Sequence, residues 1–274
     1  MEQRTIYYKD ELNDEFSGTN ITPRKIDENY KYIHKNPLWI ILAFLFNILV
    51  FPVKVLYPKI RFHQKFIGKE KLKKYKKTGY FVYVNHTNNL ADACIPSNAI
   101  FPKRNYMIAN SDNVSMPFLE NSVQMLKVIA IPDNVKGMKN YLEKIKMVIR
   151  KKNAITIYPE AHIWPYYTKI RPFTSVSFTY PVELGVPTFC MTNTYVRRGK
   201  SNKVDMVTYI DGPFFPDRIL SKKEQKQDLR DQVFEQMDER SKNNNIEVIK
   251  YVKVKQEDAE NFDDSQSESG EGKI

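Results

Sequence analysis

The chain of 274 residues is long enough to bury one large α/β core, and its 42% hydrophobic and 13% aromatic content argues against wholesale disorder. The formal net charge is +11, and residues 256–274 carry seven acids and one lysine, so the rest of the chain holds about +17. Such a basic body is expected to bind a phospholipid surface, a phosphate ligand, an acidic carrier protein or nucleic acid. Cys94 and Cys190 lie in apolar contexts, which predicts buried, reduced thiols.

The N-terminal part of the chain divides into a polar arm, residues 1–35, and an apolar segment. Residues 37–53 run 17 positions without a charge. As a helix they reach about 25 Å, against about 30 Å for a hydrocarbon core. Basic residues flank both ends, and Asn47 and Pro52 interrupt the run, so a single span, a helix or hairpin dipping into one leaflet, and a buried core helix all fit. We expect a membrane anchor over residues 36–62.

Residues 63–255 are predicted to form one folded domain. Within this domain, residues 138–149 carry apolar side chains at three- and four-residue spacing, which predicts a helix with one face in the core. The alternation of strands and helices indicates the α/β class, with a central mixed sheet flanked by helices. Short apolar runs predict the strands near residues 80–84, 105–109, 128–131, 154–158, 186–193 and 204–210.

Charged segments flank this domain. Residues 65–77 hold seven lysines, which form either a solvated face or a surface against anionic headgroups at about 1 kcal/mol per charge. Residues 222–242 predict a charged surface helix, and residues 246–252 predict an edge strand or a tail. Residues 256–274 are acidic and poor in apolar side chains, which predicts a disordered tail.

A histidine and a carboxylate follow the first strand of the domain. The run Tyr80–Val84 ends in Asn85-His86, and Asp92 comes six residues after the histidine. A loop at a strand exit frees the imidazole for a substrate hydroxyl, and a nearby acid can hold the other ring nitrogen. This arrangement is typical of a general base.

Two further blocks follow strands in the same way. Residues 159–162 read Pro-Glu-Ala-His, and residues 185–191 look like a buried strand entered through a proline. Together with residues 85–92, in this order, they resemble the glycerolipid (lysophosphatidate-type) acyltransferase family. Residues 129–134 are a weaker match to a further block. The resemblance covers roughly residues 60–215.

The resemblance implies transfer of an acyl group from a thioester to an alcohol, with His86 as the base and Asp92 as the carboxylate that orients it. Backbone N–H groups near Pro159–Ala161, or at the start of the helix after His86, are candidate oxyanion donors. Asn134 and Ile163 stand where the family has arginines associated with the acceptor phosphate. Lys169 and Arg171, or Lys136 and Lys139, could supply that charge instead. The residues assigned to substrate binding are Asn85, Glu160, Lys103, Arg104, Lys169 and Arg171. Glu160 could instead brace its own loop.

The spacing in the first block departs from the family. Five residues separate His86 from Asp92, whereas the family usually has four. In a helix the extra residue would rotate the carboxylate by about 100°. Either the segment after His86 begins in a non-helical conformation that accommodates the extra residue, or Asn88 or Asn89 orients the imidazole instead.

By resemblance, the chain is a membrane-associated enzyme of phospholipid biosynthesis on the cytoplasmic face of the cell membrane. The implied partners are the membrane surface and an acyl carrier protein or coenzyme A thioester, and the implied acceptor is a lysophospholipid such as 1-acylglycerol-3-phosphate. No metal, redox cofactor or nucleic acid is implied. An inactive scaffold of the same fold and a metal-dependent hydrolase using His86, Asp92, Glu160 and His162 are the alternatives.

Overall fold

The computed structural model describes residues 4–17, 25–115, 120–200 and 203–254, and the predicted tail over 256–274 lies outside these ranges. The strands are β1 (Arg4–Tyr8), β2 (Lys65–Ile67), β3 (Tyr80–Val84), β4 (Asn105–Ala109), β5 (Val128–Ala130), β6 (Ala154–Ile157), β7 (Thr188–Arg197), β8 (Val204–Phe214) and β9 (Ile249–Lys253). The helices are α1 (Pro37–Phe62), α2 (Lys69–Lys73), α3 (Asn89–Ile100), α4 (Glu120–Met125), α5 (Val135–Arg150), α6 (Thr179–Leu184) and α7 (Lys222–Ser241).

Seven strands form one mixed sheet in the order β2-β8-β7-β3-β6-β4-β5. β7 and β8 pair antiparallel, and every other neighbouring pair is parallel. The predicted α/β class with a central mixed sheet is therefore confirmed. Because β3 and β6 are parallel neighbours, the loops that leave them meet at one edge of the sheet, hereafter the carboxyl edge.

The alternation of side chains along the strands creates two cores. Phe81 and Tyr83 of β3 pack into the core covered by α5 and α7. Val82 and Val84 of the same strand pack into the core on the opposite face, beside α2 and α3. With both faces covered, the central strands are buried along their whole length, which explains their nearly continuous apolar sequences.

α1 lies on the face of the domain that carries α3. It is long and apolar enough to cross a membrane by length and composition, and its apolar window is not buried in the protein. Asn47 Nδ2 donates to the Met125 carbonyl at 2.8 Å, and Asn98 Nδ2 donates to the Lys54 carbonyl at 2.7 Å. Phe62, the last residue of α1, is fully buried beside α3. α1 is therefore attached to the domain at its middle and its end, with a broad apolar surface left exposed.

The N-terminal arm differs from the prediction of an irregular polar segment. β1 pairs in parallel with β9, so the arm and residues 246–252, predicted as an edge strand or a tail, form a small two-stranded sheet. Ile26, Tyr30 and Tyr32 are buried in the main core. These apolar residues are isolated in a polar sequence, so no periodicity indicated that they would pack.

The charged helix predicted over 222–242 is confirmed as α7. It begins with a capping box, in which the Ser221 hydroxyl accepts from the Glu224 N–H and the Glu224 carboxylate accepts from the Ser221 N–H. Three of its apolar residues, at four-residue spacing, are fully buried: Leu229, Val233 and Met237. The stability of α7 thus depends on a narrow apolar stripe that packs against the sheet.

We expect Leu229→Ala to destabilise the protein by about 2–5 kcal/mol, because it leaves a cavity under α7. The exposed Val135 provides a control, and Val135→Ala should change the free energy of unfolding by less than about 0.5 kcal/mol. Chemical denaturation of the detergent-purified protein measures both. Equal effects of the two substitutions would contradict the packing of α7 described above.

Candidate active site

The exit of β3 is fixed to β7 by a reciprocal pair of hydrogen bonds. Asn85 Nδ2 donates to the Asn193 carbonyl at 3.0 Å, and Asn85 Oδ1 accepts from the Asn193 N–H at 2.8 Å. Asn85 is only 2% exposed. Its predicted role in substrate binding is therefore corrected, because its amide is buried and engaged by the backbone of β7.

His86 and Asp92 are brought together directly. His86 Nδ1 lies 2.9 Å from Asp92 Oδ2, and the same oxygen accepts from the N–H groups of Thr87 at 2.8 Å and Asn88 at 2.9 Å. Asn88 has extended backbone angles, and α3 begins only at Asn89. The non-helical start therefore absorbs the extra residue, and Asp92, rather than Asn88 or Asn89, holds the imidazole.

The second oxygen of Asp92 is supported from β7. Asn193 Nδ2 lies 3.3 Å from Asp92 Oδ1, and Asn193 Oδ1 in turn accepts from the Thr208 hydroxyl of β8 at 2.7 Å. Sequence reasoning missed Asn193. β7 also contains three threonines and an arginine, so an asparagine within it gives no local sign of this role.

Tyr158 holds the imidazole from its face. The two rings stack with centroids 4.2 Å apart and an interplanar angle of 23°. The Tyr158 hydroxyl donates to the Asp92 carbonyl at 2.5 Å, and burial raises the pKa of Tyr158 well above its usual range. Tyr158 therefore stays a neutral donor that fixes the ring plane of His86.

The second ring nitrogen of His86 remains available. Nε2 has no hydrogen-bond partner in the described part of the chain, and the side chain is 16% exposed. Because Asp92 Oδ2 faces Nδ1, the neutral imidazole is expected to carry its proton on Nδ1 and to leave the Nε2 lone pair available. This is the protonation pattern that a general base requires.

Glu160 braces the loop after β6 against the loop after β3. Its Oε2 accepts from the His86 N–H at 2.8 Å, and its Oε1 accepts from the Arg171 N–H at 2.9 Å. Burial raises the pKa of the Glu160 carboxyl, and the Arg171 guanidinium and these two amides counter that shift. Of the two roles predicted for Glu160, the structure supports the loop brace.

Arg171 is internal, which corrects its predicted role in substrate binding. Its guanidinium is 3.8 Å from the Glu160 carboxylate and donates to the carbonyls of Glu160, His162 and Glu11. It also lies over the Trp164 ring, 4.9 Å from the centroid. Lys169, two residues earlier, is exposed on the same loop and remains available to a ligand.

Lys103 and Arg104 are not at this site. They immediately precede β4, and the Ala154 N–H at the start of β6 donates to the Arg104 carbonyl at 3.0 Å. His86 follows the far end of β3, so the length of a five-residue strand, about 17 Å, separates it from this pair. The predicted contact of Lys103 and Arg104 with substrate at the His86 site is therefore wrong.

Both ends of the described chain cover the loop after β6. Trp164 is fully buried, its Nε1 donates to the Asp14 carbonyl at 2.8 Å, and its ring stacks on Tyr251 of β9 at 5.0 Å. The Trp164 N–H donates to the His86 carbonyl at 3.1 Å. The loop that braces His86 is thus held in place by the β1–β9 sheet and its aromatic side chains.

The side chains named for a metal-dependent hydrolase make other contacts in the structure. His162 Nδ1 faces Glu15 at 3.5 Å. Across residues 4–17, 25–115, 120–200 and 203–254, no three histidine, cysteine or acidic side chains form a group that could hold a metal ion.

Some backbone N–H groups near His86 have no acceptor among the described residues. Within the described residues, the N–H groups of Asn89 and Leu90 in the first turn of α3 donate to no acceptor. The N–H groups of Ala161 and His162 donate to carbonyls of their own turn. The Glu160 N–H donates to no acceptor among the described residues, so both predicted sources of oxyanion donors keep an unoccupied amide.

A family model described as Acyltransferase matches residues 63–217, which is more than half of the chain. The chain is also similar to the crystal structure of the 1-acyl-sn-glycerophosphate (LPA) acyltransferase, PlsC, from Thermotoga maritima. The two are 16% identical, with a TM-score of 0.42, and the match covers 74% of this chain and 95% of that chain. No curated protein matches the chain.

We expect Glu160→Ala to destabilise the protein by about 3–5 kcal/mol, because it leaves the buried Arg171 guanidinium without its carboxylate. The exposed Glu183 provides a matched control, and Glu183→Ala should cost less than about 0.5 kcal/mol. Denaturation curves of the two variants compare these values. Comparable stability of both variants would contradict the bracing role of Glu160.

Proposed function

We propose that this chain, which belongs to the acyltransferase family, moves a fatty acyl group from an acyl carrier protein or coenzyme A thioester to the hydroxyl of a lysophospholipid such as 1-acylglycerol-3-phosphate. The observation that carries the proposal is the His86–Asp92 pair, with Nδ1 held at 2.9 Å and Nε2 free. The pair lies at the carboxyl edge of the sheet, between two braced loops, and the His86 side chain is 16% exposed.

His86 acts as the base and then as the acid. Nε2 accepts the proton of the acceptor hydroxyl while that oxygen attacks the thioester carbonyl carbon. When the tetrahedral intermediate collapses, the carbon–sulfur bond breaks and the proton passes from Nε2 to the departing sulfur. Asp92 stabilises the imidazolium that exists between these two steps.

The oxyanion of the tetrahedral intermediate needs donors that are already oriented. The free N–H groups of Asn89 and Leu90 meet this need because they lie at the positive end of α3, three and four residues after His86. We assign them to the oxyanion.

The attachment of α1 to the domain favours a helix that lies in one leaflet. A helix fixed along the domain at its middle and end cannot cross the bilayer without drawing polar protein surface into the hydrocarbon. Phe62 at the end of α1 belongs to the same buried cluster as Ala91 and Ile95 of α3, so the helix that meets the membrane also supports the helix that carries Asp92. This arrangement would bring a lipid acceptor to His86 from the membrane surface.

The acceptor phosphate is assigned to exposed cations at the carboxyl edge. Asn134, where the family has an arginine, caps α5 by accepting from the Gly137 N–H at 2.8 Å. Lys136 and Lys139 in the first turns of α5 are exposed, and so is Lys169. These three lysines replace the buried Arg171 in the proposed contact to the head group.

We expect His86→Ala to lower turnover by at least about a hundredfold, because the base is lost. Acyl transfer from carrier-protein and coenzyme A thioesters to a panel of lysolipids, with detergent-purified protein, measures the effect. His63, an exposed histidine 3.4 Å from Asp205, provides a control. Its replacement by Asn, which tolerates the left-handed backbone there, should leave turnover unchanged. Equal activity of His86→Ala and wild type would rule out the mechanism, and no transfer by the folded wild type would favour the inactive scaffold.

We expect Asp92→Asn to lower turnover by at least about a hundredfold as well, because the amide no longer selects the Nδ1–H tautomer. The apparent acceptor constant should change less, since Asp92 is 1% exposed and does not meet the substrate. Steady-state kinetics separates the two quantities. A loss confined to the acceptor constant would show that Asp92 does not act through His86.

A further inference from the structure

A second cavity lies far from His86, between the middle of α1 and the end of α3. Its volume is about 380 Å³. We name it the α1–α3 groove. It is lined by both helices, by the turn before β4 and by the segment between α4 and β5. The turn before β4 places the groove at the amino edge of the sheet, opposite the proposed catalytic pair.

Four cations line the groove: Lys54 of α1, Lys103 and Arg104 before β4, and Lys127 before β5. Among the described residues, no carboxylate lines the groove and none of the four forms an ion pair. Burial, and then the charges of Lys54 and Arg104, lower the pKa of Lys127 to about 8. The groove therefore gathers positive charge that the described chain does not neutralise.

A buried donor in the groove also lacks an acceptor. Asn105 is 8% exposed, and its Oδ1 accepts from the Thr156 hydroxyl at 2.9 Å. Its Nδ2 has no hydrogen-bond partner in the described structure. A buried amide donor is normally paired, so Asn105 adds an unsatisfied donor to the four cations, and an anionic oxygen would be an acceptor for all five side chains.

One wall of the groove is apolar and exposed. Phe44, Ile48 and Phe51 of α1 contribute to it, and Phe51 meets Phe101 with ring centroids 5.6 Å apart. These side chains continue into the exposed apolar surface of α1. A small soluble anion would leave this apolar wall exposed to water. An amphiphile would contact the cations with its anionic head and the apolar wall with its chains.

We propose that the α1–α3 groove binds the phosphate headgroup of an anionic membrane phospholipid, whose acyl chains lie along the apolar surface of α1. The proposal rests on the placement of α1 in one leaflet and is independent of the acyl-transfer reaction. The bound lipid is not the acceptor, because a strand length separates the groove from His86. It would hold the enzyme on anionic membranes and fix α1 against the domain.

The test compares binding to vesicles of phosphatidylcholine alone with binding to phosphatidylcholine vesicles that contain phosphatidylglycerol. The groove variant is Lys54→Gln with Lys127→Gln. The control variant, Lys73→Gln with Lys76→Gln, removes the same charge from an exposed basic surface. Since both variants have equal net charge, non-specific attraction should weaken equally in both. We expect the preference for anionic vesicles to fall at least about tenfold further in the groove variant.

Equal losses in the two variants would overturn the proposal, and so would displacement of the vesicles from the wild type by inorganic phosphate at matched ionic strength. Asn105→Asp provides a second variant, because it places a carboxylate beside the cations. It should abolish the lipid preference while keeping or raising the Tm, and retention of the wild-type preference would contradict the assignment.

Acyl transfer in detergent should be unchanged in all three variants. If wild type shows no acyl transfer but keeps the lipid preference, only the proposed reaction fails.

Discussion

The buried carboxylate of Asp92 is the interaction on which the site depends. A buried anion is costly unless it is fully hydrogen-bonded, and Asp92 is surrounded by the imidazole Nδ1, the N–H groups of Thr87 and Asn88, and the Asn193 amide. The same contacts start α3, shape the loop after β3 and join that loop to β7. One set of hydrogen bonds therefore fixes both the orientation of the proposed base and the local fold. A change that alters one is expected to alter the other.

Glu160 is a second buried carboxylate that is hydrogen-bonded to the loop of His86. A buried carboxylate accepts the His86 N–H, while Arg171 and the cover formed by β1 and β9 fix the loop that carries it. Two buried acids thus hold the backbone and the ring of one histidine. Catalytic groups gain from such constraint because little reorganisation is needed at the moment of reaction. Within the described residues, Nε2 is the ring nitrogen of His86 that these contacts leave without a partner.

Local patterns in the sequence predicted much of the fold and the central pair. The apolar runs of β3 and β6 and the spacing of α5 depend on near neighbours, so periodicity identified them. Asn193 contacts Asp92, which lies 101 positions away in the chain, and no local sequence pattern indicates that contact. Lys103 and Arg104 were misplaced because strand order, not distance along the chain, puts them at the opposite edge. Arg171 was misjudged because a charged side chain is rarely buried, and here Glu160 and three carbonyls make burial tolerable.

The protonation pattern of His86 is the central claim, and nitrogen-15 NMR of the histidine side chains observes it directly. His86→Gln would assign the signal, since the chain has four histidines. At neutral pH the wild type should show a proton on Nδ1 and a bare Nε2, and Asp92→Asn should lose this preference. A proton on Nε2 in the wild type, with Nδ1 bare, would contradict the account, because no lone pair would then face the substrate.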